Sequence, residues 1–562
     1  MSGTTLDLGV APGSSADGIL AKERTIAAPG FNRWLVPPAA LCIHLCIGMA
    51  YGFSVFWLPL SKAIGITKPI ECPADMSFIT QIFSASCDWK VSTLGWMYTL
   101  FFVFLGSSAA LFGGWLERAG PRKAGFIAAV CWCGGLAISA LGVYLHQIWM
   151  LWLGSGVIGG IGLGLGYISP VSTLIKWFPD RRGMATGMAI MGFGGGAMIG
   201  SPLADRLMKF FATPESVGVW QTFLALAAIY FVFMMLGAFG YRVPASGWKP
   251  AGWTPPPADA AKTMITSKHV HLNTAWKTPQ FWLIWGVLCL NVSASIGIIG
   301  IAAVMLQELF GGGLVGHPEL AFAQVQGDAS LKAAAAAVGA GFVGLISLFN
   351  IGGRFFWASM SDRLGRKSTY FVFFVLGIVL YLVAPHEAAA KALVPFALTI
   401  GVIASMYGGG FATVPAYLAD MFGTQMVGAI HGRLLTAWSA AGILGPVLVN
   451  YLREAQIAAG VARDHVYDEP MYIMAGLLVL GFICNLLIRP VAPKYFMSDA
   501  ELEHERRLAH DKVIAADIGS AGTAGVANAS NPALVAAAWL LVGIPIAWGV
   551  FITLQKALAL FH

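Results

Sequence analysis

The chain has 562 residues, 57% of them hydrophobic and only 11% charged, whereas a soluble domain carries roughly 25% charged residues. So few charges exclude a water-facing globular surface. The net charge of +7 sits in short clusters between apolar stretches, a pattern that reads as membrane topology signalling and not as nucleic-acid binding.

In chain order, residues 1–34 are polar and rich in Gly, Ser and Ala. They lack the apolar core of a cleaved leader, so the first span is expected to be retained. A hydrocarbon layer about 30 Å thick needs roughly 20 apolar residues per helix. Apolar runs predict thirteen such helices, over 35–59, 92–115, 124–145, 149–177, 184–210, 220–241, 281–309, 334–359, 369–384, 393–418, 427–451, 470–489 and 533–557. Arg118, Arg122 and Lys123 follow the second run, Arg181 and Arg182 the fourth, Arg242 and Lys249 the sixth, and Arg363, Arg366 and Lys367 the eighth. The loops after the third, fifth and ninth runs are poorer in cations, which places the N-terminus and the even loops in the cytoplasm of a bacterial inner-membrane protein and His562 in the periplasm. Cys72 and Cys87 then face the periplasm, where a disulfide persists; two free thiols are the alternative. The other six cysteines lie in apolar spans and read as small hydrophobes.

Residues 242–280, with Pro255–Pro257 and scattered lysines, read as a cytoplasmic linker between six-helix halves at 35–241 and 281–489. Residues 490–532 form a cytoplasmic charged helix, opened by the capping box Ser498–Glu501, and a linker rich in Gly, Ala, Ser and Asn. Residues 533–562 hold the extra span, expected to be a packing element. The stretch Glu117-Arg-Ala-Gly120 after the second span returns as Asp362-Arg-Leu-Gly365 after the eighth, 245 residues on, and Gly187 and Gly432 share that offset. An internal repeat with an even helix count is common in secondary transporters.

This twice-used loop resembles the major facilitator signature, with Ala358 where a glycine is preferred. The resemblance implies an all-α membrane protein with two six-helix bundles plus a thirteenth C-terminal helix. It also implies a conformational latch made by Glu117, Arg118, Arg122, Asp362, Arg363 and Arg366; the plainer reading of these charges is topology alone. Lys176-Trp-Phe-Pro-Asp-Arg-Arg-Gly183, Thr278-Pro-Gln-Phe-Trp282, Gly353-Arg-Phe-Phe-Trp357 and Asp420-Met-Phe-Gly-Thr424 are similar to the oxalate/formate antiporter family, a relative of the eukaryotic monocarboxylate transporters. Together these stretches extend the likeness over about residues 30–490.

Arg354 stands eight residues before Asp362, about 12 Å along the helix. At that depth an arginine is costly and usually faces a polar cavity, and its fork matches a carboxylate bidentately. The family's substrate-binding arginine falls at Arg354, with Asn350 one turn away to orient it; an arginine bonded to helix backbone is the alternative. Tyr51, Tyr167, Tyr407 and Phe411 fall at the family's cavity positions or read as packing aromatics. The family's second cation falls at Trp438, and its cavity glutamines fall at Ala50 and about Phe102. One cation in an apolar cage balances one carboxylate better than two. The expected cargo is therefore a monocarboxylate such as formate, pyruvate or lactate, moved by proton symport or anion exchange. Oxalate stays open if Arg433 or His431 reaches inward. His44 is the candidate proton carrier, or a neutral histidine held in the packing. Glu308 and Asp205 are expected to be solvated at span ends. A carboxylate sensor without flux is the reading of another class. An enzyme is not expected, since no metal cluster, phosphate loop or nucleophile–base pair is present, and no cofactor is implied.

Overall fold

The computed structural model describes residues 18–66, 70–73, 76–89, 91–245, 248–254, 264–507 and 530–558. Thirteen helices among them are long and apolar enough to cross a membrane: Arg33–Phe53, Thr93–Ala119, Pro121–Tyr144, Ile148–Trp177, Arg182–Phe211, Val219–Gly240, Pro279–Ile299, Gly341–Leu364, Arg366–Ala389, Leu393–Phe422, Val427–Ala458, Asp468–Leu487 and Pro532–Gln555. They are numbered here as spans one to thirteen. Among the described residues there is no strand, only isolated bridges such as Ile26–Val243. In lipid each backbone N–H and C=O must be satisfied within its own segment, which is why these apolar runs are helical.

Polar caps and prolines set the ends. Thr278 accepts from the Phe281 N–H at 3.2 Å just before Pro279, and Asn531 accepts from the Ala533 N–H at 2.9 Å just before Pro532. Proline at the first helical position costs nothing, since its missing N–H has no partner there. The glycine of the repeated loop also has a physical cause. Spans two and three meet at Gly120 (φ +85°) and spans eight and nine at Gly365 (φ +84°), one-residue turns in a region that disfavours side chains.

Several boundaries differ from the sequence expectations. Span one is α-helical only to Ile47 and tightens into a 3-10 helix over Gly48–Phe56. The run expected over 281–309 ends at Ile299 and restarts as a short helix, Ala302–Phe310, because Gly300 closes the first helix and lacks a side chain to continue the packing. Span nine is longer than its apolar core at both ends: Arg366 opens it, paired with Asp362 and Asp420, and His386 lies in its last turn. Pro255–Pro257, residues 508–517 of the charged helix and residues 519–529 of the last linker lie outside the described residues.

Span eight packs on spans five and ten, span two on spans four and eleven, and span seven on span eleven. Span thirteen lies across spans one, five and eight. Its Trp539 Nε1 donates to Trp34 O at 3.1 Å, and Thr553 closes on Gly344, where an added Cβ would stand 2.9 Å from the threonine methyl. In the loop after span one, Cys72 and Cys87 are disulfide-bonded across 15 residues, a closure worth roughly 3 kcal/mol in the chain-entropy account. Buried Asp88 gathers that loop by accepting from the Ile64, Gly65 and Ile70 N–H groups at 2.7, 3.0 and 2.9 Å.

Asp205 lies at a span end and pairs with Lys209 at 2.7 Å. Glu308 does not follow the solvated expectation. It is 3% exposed and accepts from Arg453 at 2.8 and 2.5 Å, Arg463 at 2.8 Å and the Tyr467 hydroxyl at 2.5 Å. These donors come from span eleven and the loop after it, 145 to 159 residues downstream, which hides the cluster from local inspection. Burial pushes the carboxyl up, but the bonds from Arg453 and Tyr467 outweigh it and hold the group below its usual range. A depressed carboxylate stabilises the fold above the unfolded pKa, about 4.3, and loses that contribution as pH falls through the lower folded value. Glu308→Gln is expected to lower stability by about 2–3 kcal/mol at pH 7, after allowing for the partly exposed arginines. Thermal unfolding in detergent should show this gap flat from pH 8 to pH 5 and shrinking only in stronger acid. A gap that is absent, or unchanged in acid, contradicts the account.

Candidate substrate site

Arg354 is fully buried at 0% exposure. Its Nε donates to Asn350 Oδ1 at 2.8 Å, one turn back on span eight, and its Nη1 donates to Ile190 O at 3.3 Å on span five. Among the described residues Nη2 has no hydrogen-bond partner, and no carboxylate pairs with the guanidinium. Glycines make the seat. A Cβ at Gly194 would stand 3.0 Å from Arg354 Nε, and one at Gly408 would stand 2.3 Å from Asn350 O. The backbones of spans five and ten can close on the side chain only because those Cβ atoms are missing.

Aromatic rings enclose the charge. Phe193 and Phe411 lie 5.8 and 5.7 Å from the guanidinium carbon. Trp438 packs 4.2 Å from Phe411 and 5.4 Å from each of Phe102, Tyr167 and Phe193, centroid to centroid. The Tyr51 and Tyr407 hydroxyls share a hydrogen bond of 2.9 Å across the two halves. Asn350, Tyr51, Tyr167, Tyr407, Phe411 and Trp438 therefore converge on Arg354. The Tyr51 and Tyr167 hydroxyls also lie beside the guanidinium, although the Tyr167 hydroxyl makes no bond of strict geometry. With Trp438 Nε1, also unpaired among the described residues, these groups form a set of donors around one permanent cation in an aromatic cage. Charge-assisted bonds to a small oxyanion suit that arrangement.

One member, Phe193, was missed in the sequence. Phe193 sits in the glycine run Met191–Gly196, which reads as helix packing; its lone aromatic was the available signal. His431 was named only as one of two residues that could reach inward. It is 1% exposed and its ring lies 5.9 Å from Tyr167. Arg433 turns away: it donates to Leu272 O at 2.8 Å and Asn273 Oδ1 at 2.9 Å in the linker. His44 is buried, with Nδ1 against Ala189 O and Nε2 3.2 Å from Tyr167 O. Both partners are carbonyl acceptors, and a neutral ring donates to only one of them.

The repeated loops meet between the halves. Asp362 accepts from the Gly183 and Met184 N–H groups at 2.8 and 3.0 Å, at the start of span five, and from Arg366 at 2.7 Å. Glu117 accepts from the Gly428 N–H at 3.2 Å, at the start of span eleven, and pairs with Lys176 at 2.7 Å. Each acid thus caps a helix N-terminus of the opposite half, where the helix dipole favours negative charge. Asp420 adds a third joint, to Arg182 at 2.9 Å across the halves and to Arg366 at 3.0 Å. The remaining latch candidates lie elsewhere. Arg118 bonds its own helix at Gly114 O, 3.3 Å away, and Arg122 holds Ile19 O and Arg24 O of the N-terminal segment at 3.2 and 3.3 Å. Arg363, on the exposed side of span eight, makes none of these cross-half bonds.

Twelve spans joined by reciprocal acid-to-helix contacts around a buried polar centre define a helical membrane transporter. A family model for the Major Facilitator Superfamily matches residues 40–446, and the chain belongs to that superfamily. The oxalate:formate antiporter of Oxalobacter formigenes is 22% identical over 481 residues, covering 85% of this chain and 97% of that protein. The apicoplast pyruvate carrier 1 of Toxoplasma gondii is 23% identical over 503 residues, covering 79% and 85%. Among solved structures, the human organic anion transporter MFSD10 superposes with a TM-score of 0.53 at 15% identity, over 82% of this chain and 100% of that one. The fucose:proton symporter FucP of E. coli gives 0.53 at 12% identity with the same coverage of 82% and 100%. Identities this low speak for the fold alone.

The latch yields a measurement. Asp362→Asn keeps the shape but removes the charge that strengthens two backbone bonds and the Arg366 pair. A loss of about 2 kcal/mol corresponds to a roughly thirtyfold shift toward the state open on that side. Thr186 is a suitable reporter, since it is buried in the joint and its hydroxyl donates to Ala412 O at 2.6 Å. In a background without the six free cysteines, Thr186→Cys should be labelled much faster when Asp362→Asn is added. Equal rates would remove the latch from the conformational equilibrium.

Proposed function

We propose that this protein carries small organic anions with one carboxylate, such as formate, pyruvate or lactate, across the membrane. The two six-helix halves alternate access to Arg354, and the latch side and N-terminus face the cytoplasm. One observation carries the reading: a permanent cation with an N–H unpaired and no acidic partner among the described residues, inside an aromatic cage. Such a charge is expensive in a bilayer core unless something compensates it, and a carboxylate matches the guanidinium fork. A relative that exchanges oxalate and formate and another that carries pyruvate, by their names, support the same chemical class. With Trp438 in place of a second cation, the cage favours one negative charge over two.

Coupling to protons is favoured by the geometry of His44. Both its ring nitrogens face carbonyl oxygens, and a neutral ring leaves one nitrogen lone pair against a carbonyl. A proton held there is released when the helices carrying Ala189 and Tyr167 shift. In the exchange reading the proton stays and a counter-anion resets the carrier.

Purified protein in liposomes tests both parts. Arg354→Lys and Arg354→Gln are expected to lower uptake of labelled formate and pyruvate at least thirtyfold, the scale of losing one partner of a buried charged pair, with unchanged expression and unfolding temperature. Wild-type uptake in either variant would overturn the assignment. If symport holds, acid on the side of entry accelerates uptake and His44→Gln removes that acceleration. Pure exchange needs an internal anion and ignores the pH gradient.

A further inference from the structure

Among the described residues two buried histidines lie within membrane spans, and they are treated differently. His44 bonds backbone carbonyls through both nitrogens. His431 bonds nothing: neither Nδ1 nor Nε2 finds a partner among the described residues. Leaving a buried polar atom unpaired is costly, and a histidine serving only as packing carries that cost for no return. The ring must also be aimed somewhere. His431 and Trp438, on either side of the break at Leu435 in span eleven, both face Tyr167, whose ring lies 5.9 Å from the first and 5.4 Å from the second. Trp438 packs on the two phenylalanines that flank Arg354. Tyr167 is the common neighbour: its ring lies 5.9 Å from that of His431, and its hydroxyl lies beside the guanidinium.

We infer that His431 is a second recognition group, reading an oxygen of the cargo beyond the carboxylate that Arg354 holds. This rests on the carboxylate reading above and narrows it to 2-oxo and 2-hydroxy acids. A neutral imidazole presents one N–H and one lone pair. The keto oxygen of a 2-oxo acid accepts from the N–H, and the hydroxyl of a 2-hydroxy acid donates to the lone pair. Formate, acetate and propionate offer neither and leave the ring unpaired. A site built to bond a substrate oxygen discriminates strongly against analogues without it, because its own polar atoms are then stranded.

Competition binding on the purified full chain, with pyruvate and lactate against acetate and propionate, tests this. Wild type should take the first pair at least roughly tenfold more tightly. His431→Ala should lose about that tenfold for pyruvate and lactate while holding acetate and propionate within twofold. His431→Gln, which keeps an amide donor and acceptor, should restore part of the preference and show that the fold is intact. A uniform change across the four acids in His431→Ala, or no change, overturns the role of His431 alone. If wild type binds none of the four, the carboxylate reading of Arg354 falls, and this assignment with it.

Discussion

A guanidinium cannot shed its proton at any working pH, so burying one commits the surrounding structure to compensating it. In this chain the compensation is partial. Asn350 and Ile190 O occupy two of the donor positions of Arg354, and the faces of Phe193 and Phe411 supply the weaker attraction of aromatic rings for cations. No carboxylate completes the pairing among the described residues. The glycines of spans five and ten, the cross-half Tyr51–Tyr407 bond and the wall made by Trp438 all follow from the need to hold an incompletely balanced charge in a fixed place.

The halves are joined on one side by a device that reads directly from the duplication. Glu117 and Gly428 form one contact, Asp362 and Gly183 the other, and both acids and both glycines are 245 residues apart in the chain. Each half therefore contributes one acid and one helix N-terminus, so neither half can move without breaking both joints. The motif at 176–183 gains a reason for its composition. Lys176 pairs with Glu117, Asp180 with Arg33 at 2.8 Å, Arg182 with Asp420, and Gly183 leaves its N–H open to Asp362. A side chain at Gly183 would stand 2.1 Å from Ala358 O. That close fit also accounts for Ala358 where a glycine is more usual: the missing side chains are on the facing span, at Gly183 and Gly187.

Features with a local physical signature were legible in the sequence. Long apolar runs, one-residue glycine turns and an arginine at membrane depth are each visible within a few residues, because lipid leaves the chain few options. The features that escaped depend on tertiary partners. Glu308 looked like a span-end acid because Arg453, Arg463 and Tyr467 lie far downstream. Phe193 drew no notice in its glycine run because its value comes from facing Arg354 on span eight. His431 and Arg433 are two residues apart and were indistinguishable as inward candidates. Helix geometry turns them to different faces, one toward Tyr167 and the other toward the linker. Periodicity along one helix cannot say which neighbour it will meet.

The thirteenth span shows how far local reading reaches. Its apolar run announced a membrane helix, but nothing in it announced a position. It lies across the seam, touching spans one and five of the first half and span eight of the second. Its contacts are narrow: Thr553 against Gly344, Gly549 against Met198 and Ile199, and Trp548 under Arg206 at 5.2 Å. Spans five and eight are the same helices that carry the latch contacts and seat Arg354. If the halves rock about that seat, spans five and eight slide past each other, and a helix resting on both must give up its hold on one.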